Sequence, residues 1–98
     1  MTIEIKKNAD ETVLKITGRL DTITAPALDK TINENLHEIK NLILDFECIE
    51  YISSAGLRVL LSAQKNLQKS GLMKLKNVRE EVMEVFEMTG FADILTIE

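Results

Sequence analysis

The chain has little with which to cross-link itself, hold a metal or cross a membrane. Cys48 is its only cysteine, so no internal disulfide can form, a usage that suits a reducing compartment. His37 is its only histidine and lies far from Cys48, so no zinc-ligand spacing exists. With one proline and four glycines there is no flexible linker, and no repeat or low-complexity tract appears. The apolar runs fall far short of the ~20 residues a bilayer span needs. No basic, apolar, small-residue leader opens the sequence, so a cytoplasmic protein without membrane insertion is expected. Basic excess is lacking too: 12 Lys and Arg against 16 Asp and Glu leave a net charge of −4. Such a domain is repelled by a phosphate backbone, which argues against direct nucleic-acid binding.

What is present is ordinary for a folded protein: 98 residues, 45% hydrophobic and 29% charged, enough for one domain across residues 1–98. Ile3 and Ile5 alternate with polar neighbours, Asn8 to Asp10 are turn formers, and Val13, Leu14 and Ile16 continue the alternation. This pattern predicts a hairpin. Gly18 and Asp21 mark a loop. Thr24 is a candidate cap for a first helix, with Pro26 in its opening turn and Leu28, Ile32, Leu36 and Ile39 on its apolar stripe. The run Leu42-Ile43-Leu44, ending at Asp45, suits a central strand covered on both faces, with a loop from Asp45 to Gly56. A second helix follows from Ala55, carrying Leu57, Leu60, Leu61 and Leu67 on one side. Gly71 fits a left-handed stop, and Leu72, Met73 and Leu75 a short strand. Asn77 with Glu80 resembles a capping box for a third helix, which buries Val82, Val85 and Phe86 and stops at Gly90. Ile94 to Ile97 adds a last strand. The order β-β-α-β-α-β-α-β predicts an α/β fold: a mixed, largely parallel sheet with an N-terminal hairpin and crossover helices.

In such a sheet the functional loops gather outside the carboxyl ends of the parallel strands. Here that edge would collect Asp21, Thr22, Asp45, Ser53 and Ser54. Capping alone can account for either serine. Ile52-Ser53-Ser54-Ala55-Gly56 lacks the first glycine of a G-x-S-x-G elbow, and His37, read as a surface residue, supplies no base, so hydrolysis is rejected. Neither glycine-rich phosphate cradle is present. An aspartyl phosphorylation site at Asp45 would want further acids to hold magnesium, and no early acidic pair is found. No catalytic residue, cofactor or metal is expected. Cys48 reads as a small buried hydrophobe.

Beyond this, the segment DFECIEYISSAGLRVLL (Asp45 to Leu61) resembles the signature of the STAS domain, shared by anti-sigma-factor antagonists and the cytoplasmic tails of sulfate transporters. GRLDTITAPAL (Gly18 to Leu28) resembles the family's earlier loop and helix, and VMEVFEMTGFADILTI (Val82 to Ile97) its last helix and strand. As a free-standing domain the chain is similar to a bacterial anti-sigma-factor antagonist. The resemblance implies partner switching. The unmodified protein binds an anti-sigma factor that is also a serine kinase, phosphorylation releases it, and a serine phosphatase resets it. The family's acceptor lies two residues before the motif glycine, which with Gly56 is Ser54. Ser53, where many members carry Asp, is the second choice. The implied partner-binding residues are Asp21, Thr22, Ser53, Ser54, Gly56, Leu57 and Arg58. An alternative within the same family is an unmodified subunit that docks on a transporter ATPase.

Overall fold

The computed structural model describes residues 1–35, 39–69 and 71–98. The expected stripe residue Leu36, the lone His37 and Ser70 lie outside the described residues. Strand β1 (Thr2–Asn8) turns at Ala9-Asp10 into β2 (Glu11–Leu20), and the two pair antiparallel from Thr2↔Thr17 to Asn8↔Glu11. Helix α1 (Ala25–Asn35) leads to β3 (Asn41–Ile52), and α2 (Ser54–Leu67) leads to β4 (Leu72–Lys76). Helix α3 (Glu80–Thr89) and the single turn α4 (Phe91–Ile94) complete the chain. The sheet order is β1-β2-β3-β4, with β2–β3 and β3–β4 parallel. This is the mixed, largely parallel sheet with a hairpin and crossover helices that the alternation predicts.

Burial along the strands corrects one expectation. On β3, Leu42, Leu44 and Phe46 are fully buried while Ile43 and Asp45 between them are half-exposed. On β2, Leu14 and Ile16 are buried and Val13 and Lys15 are not. The helices therefore cover one face of the sheet, and among the described residues the other is bare. Under the helices, Phe46 of β3 meets Phe86 of α3 with ring centroids 6.3 Å apart and planes tilted by 45°. Burial of each ring contributes roughly 1.5–3 kcal/mol. Leu28 and Ile32 of α1, and Leu57, Leu60 and Leu67 of α2, close the same core.

Strand β3 runs to Ile52, through the segment expected to be a loop. Its pairing with β2 shifts register between Lys15 and Thr17 and again between Gly18 and Arg19. Each shift adds a residue to β3, so after Phe46 the buried positions are Ile49 and Ile52, three apart. A bulged strand of this kind escapes a two-residue periodicity test. Gly18, also expected in a loop, lies in β2 at the second shift with a φ of +115°, which glycine adopts without strain.

Other differences are local. Gly71 does not adopt a left-handed conformation; a Cβ there would run into the Lys40 backbone, so the glycine permits two loops to touch. Asn77 makes no capping box. It takes a φ of 58° and its Nδ2 donates to Asp45 Oδ1 at 3.1 Å. Gly90, with a φ of 82°, ends α3 as expected. The last expected strand reduces to a single parallel bridge, Leu75↔Ile97, because Phe91–Ile94 forms a helical turn.

Candidate functional site

Strands β2 and β3 finish level with each other, at the pair Leu20↔Ile52. One residue later the Ser53 N–H donates to the Leu20 carbonyl at 2.9 Å, so both exits from the sheet start side by side. After Leu20 the chain folds over Asp21. Its Oδ1 accepts the backbone N–H groups of Ile23 and Thr24, both at 3.0 Å. The Ala25 N–H donates to the Asp21 carbonyl at 2.8 Å. Thr24 faces back into this loop and does not cap the helix through its hydroxyl. That hydroxyl accepts the Asp21 N–H at 2.9 Å and donates to the Arg19 carbonyl at 2.6 Å. Asp21 thus organises the start of α1.

The backbone N–H of Thr24 is the main cause that holds the Asp21 carboxyl below the ordinary carboxylate range. Partial burial opposes it. The Thr24 hydroxyl, the Ile23 N–H and the Arg19 guanidinium, 3.7 Å away, reinforce the lowering. Asp21 therefore carries a fixed negative charge in a rigid loop. Arg19 also stacks on Tyr51 at 4.3 Å from the ring centroid, which ties the last residues of β2 and β3 together.

On the other side of the junction, Ser53 occupies the N-cap position of α2, with φ −102° and ψ 175°, and Ser54 is the first helical residue. Neither serine caps the helix through its side chain. The Ser53 Oγ is buried without a hydrogen-bond partner, whereas Ser54 is exposed. Of the two residues, only Ser54 faces solvent with its side-chain hydroxyl unburied. Gly56 explains how the helix reaches this place. A Cβ on it would sit 2.8 Å from both Leu20 Cγ and Ile52 Cγ1, so only glycine lets the first turn of α2 rest on the ends of β2 and β3.

Of the residues expected to bind a partner, Asp21, Thr22, Ser53, Ser54 and Arg58 lie around this junction, and Thr22, Ser54 and Arg58 are exposed. Gly56 is buried and Leu57 is only 7% exposed, packed in the core. These two support the site from beneath and offer no docking face. Asp45 belongs elsewhere. It sits mid-strand, roughly 20 Å of extended chain before Ile52, with Asn77 and the Glu47 N–H as hydrogen-bond partners. Partial burial raises its pKa, but those two bonds and the charges of Lys76 and Lys15 outweigh it and hold the carboxyl low.

One site residue escaped the sequence reading. Ile23, at the tip of the Asp21–Thr24 loop, is 87% exposed, yet its N–H is fixed by Asp21. An apolar residue between two capping-type residues was the available signal. Among the described residues no group of His, Cys, Asp or Glu gathers to hold a metal, and no helix is long and apolar enough to cross a membrane. Cys48 is half-buried on β3. The junction therefore brings together an exposed hydroxyl at a helix N-terminus, a fixed carboxylate and an apolar tip.

The family model of the STAS domain matches residues 2–98. The chain is a STAS domain. Its relatives include the anti-sigma-B factor antagonist of Bacillus subtilis (strain 168), 28% identical over 96 residues, which cover 97% of this chain and 88% of that protein. The anti-sigma-B factor antagonist of Listeria monocytogenes is 29% identical over 103 residues, covering 100% of this chain and 89% of that protein. Among solved structures, an anti-sigma factor antagonist from Mycobacterium paratuberculosis superposes with a TM-score of 0.89 at 22% identity, covering 98% of this chain and 83% of that one. The antagonist SpoIIAA in its unphosphorylated form gives 0.77 at 17% identity, covering 99% and 87% of the two chains. SpoIIAA in the phosphorylated form gives 0.76 at 18%, covering 99% and 91%. The STAS fold of this chain matches both forms equally well.

Proposed function

We propose that this STAS domain is an anti-sigma-factor antagonist, a binding protein and not an enzyme, whose docking on an anti-sigma factor is switched off by phosphorylation of Ser54. The observation that carries the choice of residue is the contrast between the exposed Ser54 and the buried, unpartnered Ser53 Oγ. A kinase must bring the γ-phosphoryl group of ATP in line with a reachable hydroxyl. The Ser54 Oγ takes that group, its proton departs and ADP leaves.

The switch works by charge. A phosphoserine adds roughly −1.5 to −2 charges at neutral pH. At the first position of α2 the helix N-terminus stabilises that charge by about 0.3–1 kcal/mol, and Arg58, one turn on, stands where a cation can pair with it. The domain therefore stays folded, consistent with the equal likeness to both SpoIIAA forms. The same charge set about 6 Å from a carboxylate of the partner, in an interface of effective dielectric near 20, costs roughly 4–5 kcal/mol. That is on the order of a thousandfold in affinity. Repulsion from the partner outweighs the local gain.

The partner is thus an anti-sigma factor with serine kinase activity, and a serine phosphatase restores the binding form. Incubation with ATP and the anti-sigma-type kinase encoded in the same genome, followed by peptide mass spectrometry, is expected to find one phosphate, on Ser54. Phosphate on Ser53 would reassign the acceptor. Phosphate on neither serine, with binding retained, would favour the unmodified subunit that docks on a transporter ATPase.

A further inference from the structure

The sheet order places β1 at its end, so Ile3 and Ile5 face no further strand among the described residues. The edge spans seven residues, Thr2 to Asn8. Asn8 and Glu11 flank the two-residue turn Ala9-Asp10. A turn of that length is closed by a hydrogen-bonded pair, after which hydrogen-bonded and non-bonded pairs alternate along the hairpin. Lys6 and Glu4 therefore bond to β2, while Ile3 and Ile5 turn their backbone N–H and C=O groups outward. On the helix side of the sheet Ile5 pairs with the buried Leu14, yet remains 45% exposed, because the helical layer stops short of β1. On the bare side the strand carries Glu4 and Lys6.

We infer that this edge is a site for a second copy of the same chain, joined antiparallel about Ile5. Two-fold symmetry permits only registers in which some residue meets itself or its neighbour. Centring on Glu4 or on Lys6 sets like charges directly opposite, which is unfavourable. Centring on Ile5 sets Ile5 against Ile5, and Glu4 of each copy against Lys6 of the other, twice. Ile5 then supplies outward backbone groups at the two-fold axis, and the paired isoleucines cover each other's exposed flank. Residues 4 and 6 both lie on the bare face, and as a non-hydrogen-bonded pair their backbones approach to about 4.5 Å. A lysine on a sheet edge ordinarily discourages strand addition. Against its own copy in this register the charge is matched, so the strand rejects other strands and accepts itself.

Sedimentation velocity from about 10 µM to about 1 mM tests this, a range that detects weak dimers. The unaltered chain is expected to self-associate as concentration rises. Glu4→Lys alone and Lys6→Glu alone are each expected to weaken association at least tenfold, with thermal melts confirming that both fold. A mixture of the two variants places Lys opposite Glu at both contacts and is expected to recover association that neither shows alone. A chain that stays monomeric throughout, single variants that associate unchanged, or a mixture without recovery would each overturn the pairing. Should one variant fail to fold, Ile5→Lys takes its place, and undiminished association of that variant overturns the proposal equally.

Discussion

Two strand-to-helix junctions on the same side of the sheet are built in opposite ways. At the start of α3, Asn77 reaches across to Asp45, and the Arg79 Nε donates to the Glu47 carbonyl at 2.9 Å. The polar groups there bind neighbouring segments of the chain. At the start of α2, the Ser53 Oγ has no partner although it occupies the position where a serine usually caps, and Ser54 faces solvent. The fold uses up the polar atoms of one junction and leaves those of the other unspent. The proposed recognition site lies at the second, where the exposed Ser54 hydroxyl can bind something else without loss of structure.

The comparison can be broken most severely at Ser54. Ser54→Asp adds one charge where a phosphoserine adds up to two, so it is expected to weaken binding to the anti-sigma kinase by about a hundredfold, while the melting free energy changes by less than about 1 kcal/mol. Paired titration calorimetry and thermal unfolding check both halves. Gly56→Ala acts on stability instead. Its new methyl group meets Leu20 and Ile52 at 2.8 Å, so α2 must lift. A loss of about 1–3 kcal/mol is expected, seen as a fall of roughly 4–8 °C in Tm per kcal/mol.

At the satisfied junction, Asn77→Ala both removes the bond to Asp45 and forces a Cβ residue without that compensation to a φ of 58°. A loss of about 1–2 kcal/mol is expected by denaturant unfolding, and Asn77→Gly should recover the conformational part of it. Asp21 gives a pH signature. Its pKa is lowered on folding, so its stabilising contribution is present above the unfolded value of 3.8 and is lost as pH falls through the lower folded value. Asp21→Asn is expected to flatten that part of the acid unfolding curve, and carboxyl NMR titration should place the folded value below 3.8. The smallest effect belongs to Ser53→Ala. With no hydrogen bond to lose, stability should change by no more than about 0.5 kcal/mol, against about 1 kcal/mol for an ordinary cap.

The same contrast shows how far the sequence could be read. Alternation revealed the hairpin, and helical spacing found α1, α2 and α3, because those elements bury one regular stripe. The far half of β3 was missed because two register shifts moved Ile49 and Ile52 off the two-residue beat. Asp45 was drawn into the site by the same error: a strand read as too short puts its last acid at the wrong edge. Ser53 and Ser54 stood out as adjacent cap formers, but which one is buried depends on the Leu20 carbonyl holding Ser53 down, a contact across 33 positions. The one-sided helical cover was invisible for a similar reason. Ile43 looks like a core residue until its neighbours across the strands prove to be Val13 and Lys74.

The opposite rim of the sheet has a consequence of its own. The Asn41 N–H donates to the Asp10 carbonyl at 3.1 Å, and the Leu72 N–H to the Lys40 carbonyl at 2.9 Å. Each parallel strand thus begins by hooking onto the segment before its neighbour, like rungs hung one from the next. A residue inserted in the 9–10 turn would move the first hook, and β3 and β4 would inherit the displacement in series. Sequences grafted into this protein are better placed at an exposed turn outside that chain of hooks, where no strand inherits the displacement.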